Sequence, residues 1–401
     1  MKILMVHNFY NSSLPSGEKA VFEAEKVLLE SHGHEVELFT RNNDELLAKG
    51  IFGKLEGAMA TPWNPWMAAA IRGKVNAFNP DVVHVHNTFP LISPSIFHAI
   101  GRRAARVLTL HNYRLYCPAA IPMRNGKVCT ECMDQRSVLA ALKYGCYRNS
   151  RLATFPLALS VGLHRRIGTW KNQVEVFIAL TDFQKDRMVA AGLPADKVLV
   201  KPNFFYGQAS PLSWSEREPY VIFVGRLASE KGVETLVRAW EIWGSEAPEL
   251  RVVGDGPLRS KLEKAAKKMP IRFFGQLSPE QVQAQVAKAK LLVVPSEWFE
   301  GHPLVLGEAF ALGTPAAVSN IGPLPSIVDY GKNGVIFEPA NAETLANTVK
   351  TAWGTSGLLE RLGSEARKAY ENKYSKESNY SLLMQIYEQA IAKSKLPGGG
   401  E

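Results

Sequence analysis

Two glutamates stand eight positions apart in "PSEWFEGHPLVLGEAFALGTPAAVS" (residues 295–319): Glu300 and Glu308, directly after the apolar run "LLVV". A turn with glycine and proline after a buried strand leads into a helix. Proline suits the first helical position, where its missing N–H has no partner to lose. The spacing therefore predicts a helix starting at Pro303, with the main chain over Gly301, His302, Pro303 and Leu304 forming an anion-binding helix start. Glu308 then lies about one turn in, ~7–8 Å along the axis, where a carboxylate can accept hydrogen bonds from the two vicinal hydroxyls of a ribose. Glu300 falls in the turn itself. Taken alone, such a pair also describes a surface turn and a solvated helix.

"VIFVGRLASEKGVETL" carries Arg226 and Lys231 across another strand-to-helix loop. Two cations at that spacing can converge on one diphosphate, the guanidinium by bidentate contact and the ammonium as a point charge. Glycine turns follow two more strands, in "VVGDGP" and "FFGQL".

The elements that must position these groups are short β-branched runs. "KILMVHN", "HEVELFT", "DVVHVHN", "RVLTLHN" and "VFIALT" fill the first half, and "YVIFVGR", "LRVVGDG", "IRFFGQL", "LLVVPSE", "PAAVS" and "GVIFEP" the second. Helical segments such as "EKAVFEAEKVLLESHG" lie between them, so the pattern is that of parallel α/β sheets. With 401 residues, 46% apolar and 21% charged, the chain suits two domains of about 150–200 residues better than one. The expected division is residues 1–203, joined by a C-terminal helix over 376–395, and residues 204–375. A linker rich in Pro, Gly and Ser separates them, and "LPGGGE" reads as a frayed tail. Ligands of such sheets bind at the carboxyl ends of the strands, which is where Asn8, His86, Asn87, His111, Arg226 and Glu300 fall.

These motifs resemble those of retaining glycosyltransferases of family 4, which carry two Rossmann-like domains facing across a cleft (the GT-B fold). "GRLASEKG", "VGDGP", "FFGQLS" and the E-x7-E stretch carry the resemblance in the second half. "KILMVHNFY", "PSGEKAVFEAEKVLLESHGHEV", "PDVVHVHN", "LTLHN" and "IALTDFQK" extend it more loosely over the first. The resemblance implies that Arg226 and Lys231 hold the diphosphate of a nucleotide sugar, that Glu308 binds its ribose, and that Glu300 faces the sugar. It also implies that Gly17 approaches the diphosphate from the other domain, where Ser16-Gly17 replaces the family's frequent Gly-Gly, and that His111 lies near donor sugar and acceptor. His84 and His86 read as its neighbours. The sequence contains no Asp-x-Asp, which fits Arg226 and Lys231 rather than a catalytic metal stabilising the leaving group. Front-face attack by the acceptor hydroxyl is the implied route to retention.

Four cysteines, Cys117, Cys129, Cys132 and Cys146, all fall within a basic insertion over residues 112–170. Their spacing is compatible with a structural zinc. Residues 102–171 hold thirteen basic side chains against two acidic, within a chain of net charge +9. This excess points to an anionic partner: a membrane surface, a phosphorylated substrate or nucleic acid; for a glycosyltransferase it suits a lipid-linked acceptor. "SRLATFPLALSVGLHRRIGTWK" fits either a membrane interface, with Trp170 among headgroups, or a packed helix. The start, "MKILMVHNFY", lacks a secretory apolar region, and no run reaches the ~20 apolar residues of a membrane span. The expected place is cytoplasmic, peripheral at a membrane face. A nucleotide-sugar epimerase is the rival enzyme class. A zinc-containing nucleic-acid binder is the non-enzymatic one, and it leaves Glu300, Glu308, Arg226 and Lys231 without a task.

Overall fold

The computed structural model describes residues 1–10, 16–207 and 210–396. Residues 208–209 of the expected linker and 397–401 of the expected tail lie outside the described residues. The chain divides into two compact units. One comprises Met1–Pro122, Thr130–Pro202 and Asn379–Glu401, the other Met123–Cys129 and Asn203–Ser378.

Fourteen strands are described. They are β1 (Lys2–Phe9), β2 (Glu35–Asn42), β3 (Val82–Asn87), β4 (Ala105–Leu110), β5 (Met123–Arg124), β6 (Lys127–Val128), β7 (Val176–Ala179), β8 (Val198–Val200), β9 (Tyr220–Val224), β10 (Glu249–Val253), β11 (Ile271–Gly275), β12 (Leu291–Val294), β13 (Ala316–Ser319) and β14 (Gly334–Phe337). The first unit holds a parallel sheet in the order β2-β1-β3-β4-β7-β8, and the second one in the order β11-β10-β9-β12-β13-β14. β5 and β6 form a small antiparallel hairpin. β3, β4, β7, β12 and β13 are buried along their whole length, as strands covered by helices on both faces must be. Eleven of these strands coincide with the apolar runs in the sequence. β8 does not, since its three residues are too few for a periodic signal and sit inside the apparent linker.

Strand order reverses between β1 and β3 in the first sheet, and between β9 and β12 in the second. Crevices at such reversals are the ligand sites of doubly wound sheets. The helix Gly17–Ser31 follows β1 and ends at His32 and Gly33, the latter at φ 78°. The helix Lys376–Lys395 returns to the first unit, where Leu383, Ile386, Tyr387 and Ala390 pack with Ile3, Met5, Phe22 and Val82. In the second unit two apolar clusters cover the two faces of the sheet, around Trp240 and around Phe310.

Candidate active site

At the β9/β12 reversal, Gly232 adopts φ 65°, and a Cβ there would lie 1.8 Å from the carbonyl oxygen of Pro295. Only glycine lets the loop after β9 approach the loop after β12 so closely. Gly254 works in the same way: at φ 129° its Cβ would fall 2.0 Å from the carbonyl oxygen of Gly225. The loops after β9, β10 and β12 are thereby drawn together.

Lys231, in the short turn Ser229–Lys231, donates to Glu300 Oε1 at 2.7 Å, and Ser296 Oγ donates to the same oxygen at 2.6 Å. The ammonium also lies 5.4 Å from the centre of the Trp298 ring. Glu300 is buried rather than a surface turn residue; the ammonium and hydroxyl replace the water it gives up. Arg226 pairs with Glu230 and keeps more than half of its side chain in solvent. Glu230 is tied in turn to the loop after β12, its carbonyl accepting from the Glu297 N–H at 2.9 Å. The two cations of the sequence motif thus sit on one loop, each held by a carboxylate that a phosphate oxygen can replace.

The helix after β12 spans Leu304–Ala311, with Pro303 at its N-cap (φ −61°, ψ 121°), one position later than the sequence spacing suggested. Its peptide runs extended because the carbonyl of His302 is taken by Asn203 Nδ2 at 2.9 Å. His302 is buried, 5.2 Å from the Tyr374 ring, and Gly301 is half-buried. Glu308 stands in the second turn. Burial pushes its carboxyl up to about 7, and no described residue hydrogen-bonds to it. The side chain is half-buried, so its oxygens are open to solvent rather than sealed in the core.

In the first unit the β1/β3 reversal is fully furnished. Asn87 Nδ2 donates to the Asn8 carbonyl at 2.9 Å, and Asn8 Oδ1 accepts from the Leu91 N–H at 2.9 Å. Gly17 opens the next helix and is exposed, and Glu18 beside it accepts from Asn112 Nδ2 at 2.9 Å. Burial raises the Glu18 carboxyl to about 6, against the pull of Asn112 and Arg114.

His111 stacks on His86, with Nε2 3.0 Å from His86 Nδ1. Behind it, His86 Nε2 lies 3.3 Å from Glu25 Oε2. Glu25 Oε1 accepts from Lys201 Nζ at 2.6 Å. His84 completes the group through Thr109 Oγ1 at 2.7 Å and Tyr387 OH at 2.8 Å. Burial alone would raise the Glu25 carboxyl, but the Lys201 ammonium and the two histidines hold it well below its usual range. Burial, then the neighbouring histidines, keeps His111 well below 6.5, so its ring is neutral at physiological pH. His86, His111, Asn87, Asn112 and Arg114 line an open pocket with Thr61, Leu157 and Val161.

Glu25 and Lys201 escaped the sequence reading. They are 176 residues apart in the chain, and neither stands at a strand end of the N-terminal motifs. A charged residue amid the apolar stripe "VFEAEKVLL" was the available signal for Glu25.

The cysteines are all free thiols. Burial and the nearby Cys132 and Cys146 push the Cys117 thiol up to about 12. Among the described residues no three cysteine sulfurs converge on one ion position; the group that does is Glu25, His84 and His86, where Lys201 already neutralises the carboxylate. Cys129 follows the hairpin and groups with the second unit, the other three with the first. Cys132 and Cys146 pack together, close to Cys117. Trp170 follows the packed alternative: it is buried, 6.0 Å from Phe97.

Residues 26–205 match the family described as Glycosyltransferase Family 4, and residues 208–369 match Glycosyl transferases group 1. Each half thus matches a glycosyltransferase family, and the two parallel-sheet units carry the GT-B fold. These glycosyltransferase domains resemble an uncharacterized glycosyltransferase of Methanocaldococcus jannaschii, 29% identical over 49% of this chain and 55% of that protein. Alpha-D-kanosaminyltransferase of Streptomyces kanamyceticus is 27% identical over 53% of this chain and 60% of its own. The chain spans about half the length of the curated relatives it matches. Among solved structures, Anabaena HepE in complex with UDP and glucose superposes with TM-score 0.65 at 17% identity, covering 97% of this chain and 99% of its own. Sucrose-phosphate synthase from Thermosynechococcus elongatus gives 0.69 at 16%, covering 98% and 99%.

Proposed function

We propose that the chain is a retaining, metal-independent glycosyltransferase that moves a sugar from a nucleoside diphosphate to a hydroxyl acceptor. The observation that carries this reading is the unpartnered Glu308 carboxylate, on the helix that follows the Lys231–Glu300 contact at the β9/β12 reversal. Glu308 accepts the ribose hydroxyls. Lys231 and Arg226 exchange their carboxylate partners for diphosphate oxygens, aided by the main chain over Gly301, His302 and Leu304 at the helix start. Anabaena HepE, solved with UDP and glucose, supports a donor of this class.

The acceptor oxygen forms its bond to the anomeric carbon on the face that the phosphate leaves. The bond from that carbon to the phosphate oxygen breaks, and the acceptor proton passes to the departing oxygen. Negative charge grows on that phosphate, where the two cations act and where fixed charge is worth most. In the N-terminal pocket the neutral His111 ring orients the acceptor hydroxyl, and Glu300, still held by Ser296 once Lys231 turns to the diphosphate, faces the donor sugar. A lipid-linked acceptor suits the basic surplus of this half.

A panel of nucleotide sugars tested by saturation-transfer NMR decides the donor. One donor should bind the native protein and not Glu308→Ala; binding of none overturns the reading. Proton NMR of the product should show the donor's anomeric configuration preserved, and turnover should persist in chelator. Consumption of donor without acceptor would identify an epimerase instead.

A further inference from the structure

The helix Gly50–Ala60 is built inside out. Its small residues Gly53, Gly57 and Ala60 are buried, and a Cβ on Gly53 would meet the Leu46 carbonyl oxygen at 1.9 Å. Its large apolar residues face water: Ile51 and Phe52 are each 76% exposed, with Leu55 and Met59 on the same stripe. A helix in a water-soluble domain turns its large apolar side chains inward, so this arrangement requires a partner. The helix Arg151–Arg166 packs against it and repeats the pattern, with Leu152 (85% exposed), Phe155 and Leu159 facing out. Trp66, at the start of the helix Pro65–Phe78, is 74% exposed. Two packed helices that each turn large apolar side chains to water go beyond the singly scattered apolar residues of an ordinary surface.

Charge identifies the occupant. No acidic residue occurs between Asp134 and Glu175, while Arg136, Lys143, Arg148, Arg151 and Arg166 do. The one glutamate on the helix Gly50–Ala60, Glu56, is paired with Lys49 at 2.6 Å. Apolar and aromatic side chains flanked by cations match the boundary between acyl chains and anionic headgroups. A second copy of the chain would bring the same cations against themselves.

We propose that these two helices dock the N-terminal unit on an anionic lipid bilayer. The opposite face of the helix Arg151–Arg166 supplies Leu157, Ser160 and Val161 to the pocket that holds His111. One helix thus has one face on the membrane and the other in the pocket. An acceptor carried on a lipid can then present its hydroxyl without leaving the bilayer. That consequence rests on the proposed function; the docking itself does not.

The test is vesicle flotation of the full chain without donor or acceptor, so its outcome is independent of transferase activity. Vesicles of equal parts phosphatidylglycerol and phosphatidylcholine should float the protein at low salt, and vesicles of phosphatidylcholine alone should float far less. Phe52→Ser and Leu152→Ser should each weaken binding about tenfold, with unchanged melting midpoints because both side chains are exposed. Arg148→Gln with Arg151→Gln should weaken binding and flatten its salt dependence. Tryptophan emission should shift to the blue on vesicles, and the shift should shrink in Trp66→Phe. Failure to bind anionic vesicles, or binding indifferent to these variants, overturns the proposal. So does light scattering that finds a dimer in the native protein and a monomer in Phe52→Ser, because the flank would then hold a second copy.

Discussion

The two strand reversals carry polar clusters of opposite character. In the N-terminal unit Lys201, Glu25, His86 and His111 form a series, each within 3.3 Å of the next, although Glu25 Oε2 and His86 Nε2 make no hydrogen bond. In the C-terminal unit Lys231 and Glu300 answer each other, but Glu308 is answered by nothing and its carboxyl is held near 7. The first cluster is held by charge in the core, the Lys201 ammonium lying against Glu25. Glu308 is half-buried, so its raised carboxyl can meet water or an incoming hydroxyl. The first cluster is thus closed to solvent around Glu25, while the second keeps an acceptor within its reach.

The contrast is broken most forcefully at Lys201. Lys201→Met strands Glu25 in the core and should cost about 3–5 kcal/mol in denaturant unfolding, with most of it restored when Glu25→Gln is added. If Lys201→Met is neutral, the closed network is not holding the unit. Next in size, Lys231→Ala should lower kcat by about 10²–10³, read from nucleoside diphosphate release, while shifting the melting midpoint far less than Lys201→Met.

Smaller effects sharpen the comparison through pH. Hydroxyls donated to Glu308 favour its charged form, so donor affinity should rise severalfold as pH increases through about 7, between about pH 6 and 8. Calorimetry on Glu308→Gln should find that dependence gone. Stability should show the reverse sign in the two units. Burial holds His7 at about 3 and His164 at about 4, with His84 and His111 also well below 6.5. The unfolded chain takes up these protons near pH 6.5 and the folded unit does not, so stability is lost as pH falls below that value. Glu18, at about 6, opposes this with one proton against several. In the C-terminal unit the raised Glu308 instead removes stability as pH rises from about 4.5 to 7. The melting midpoint of the whole chain should fall by a few degrees between about pH 7 and 5; a rise would assign the C-terminal carboxylate the larger share.

The alternation of β-branched runs with helical stretches was enough to establish two parallel-sheet units, because burial on both faces leaves continuous apolar strands in the sequence. The types and spacing of Arg226, Lys231, Glu300 and Glu308 were enough to mark the second reversal, because strand ends and helix starts fall at fixed offsets from such runs. Contacts across many residues could not be read that way. The pairing of Lys231 with Glu300 and the distance of Lys201 from Glu25 along the chain follow from how strands are ordered across a sheet. Strand order is set by packing between segments far apart in the chain and leaves no local period. The inside-out helix Gly50–Ala60 makes the same point. Its composition reads as an ordinary apolar helix, and only the close approach of Gly53 to Leu46 decides that its small residues face inward and its large ones face out.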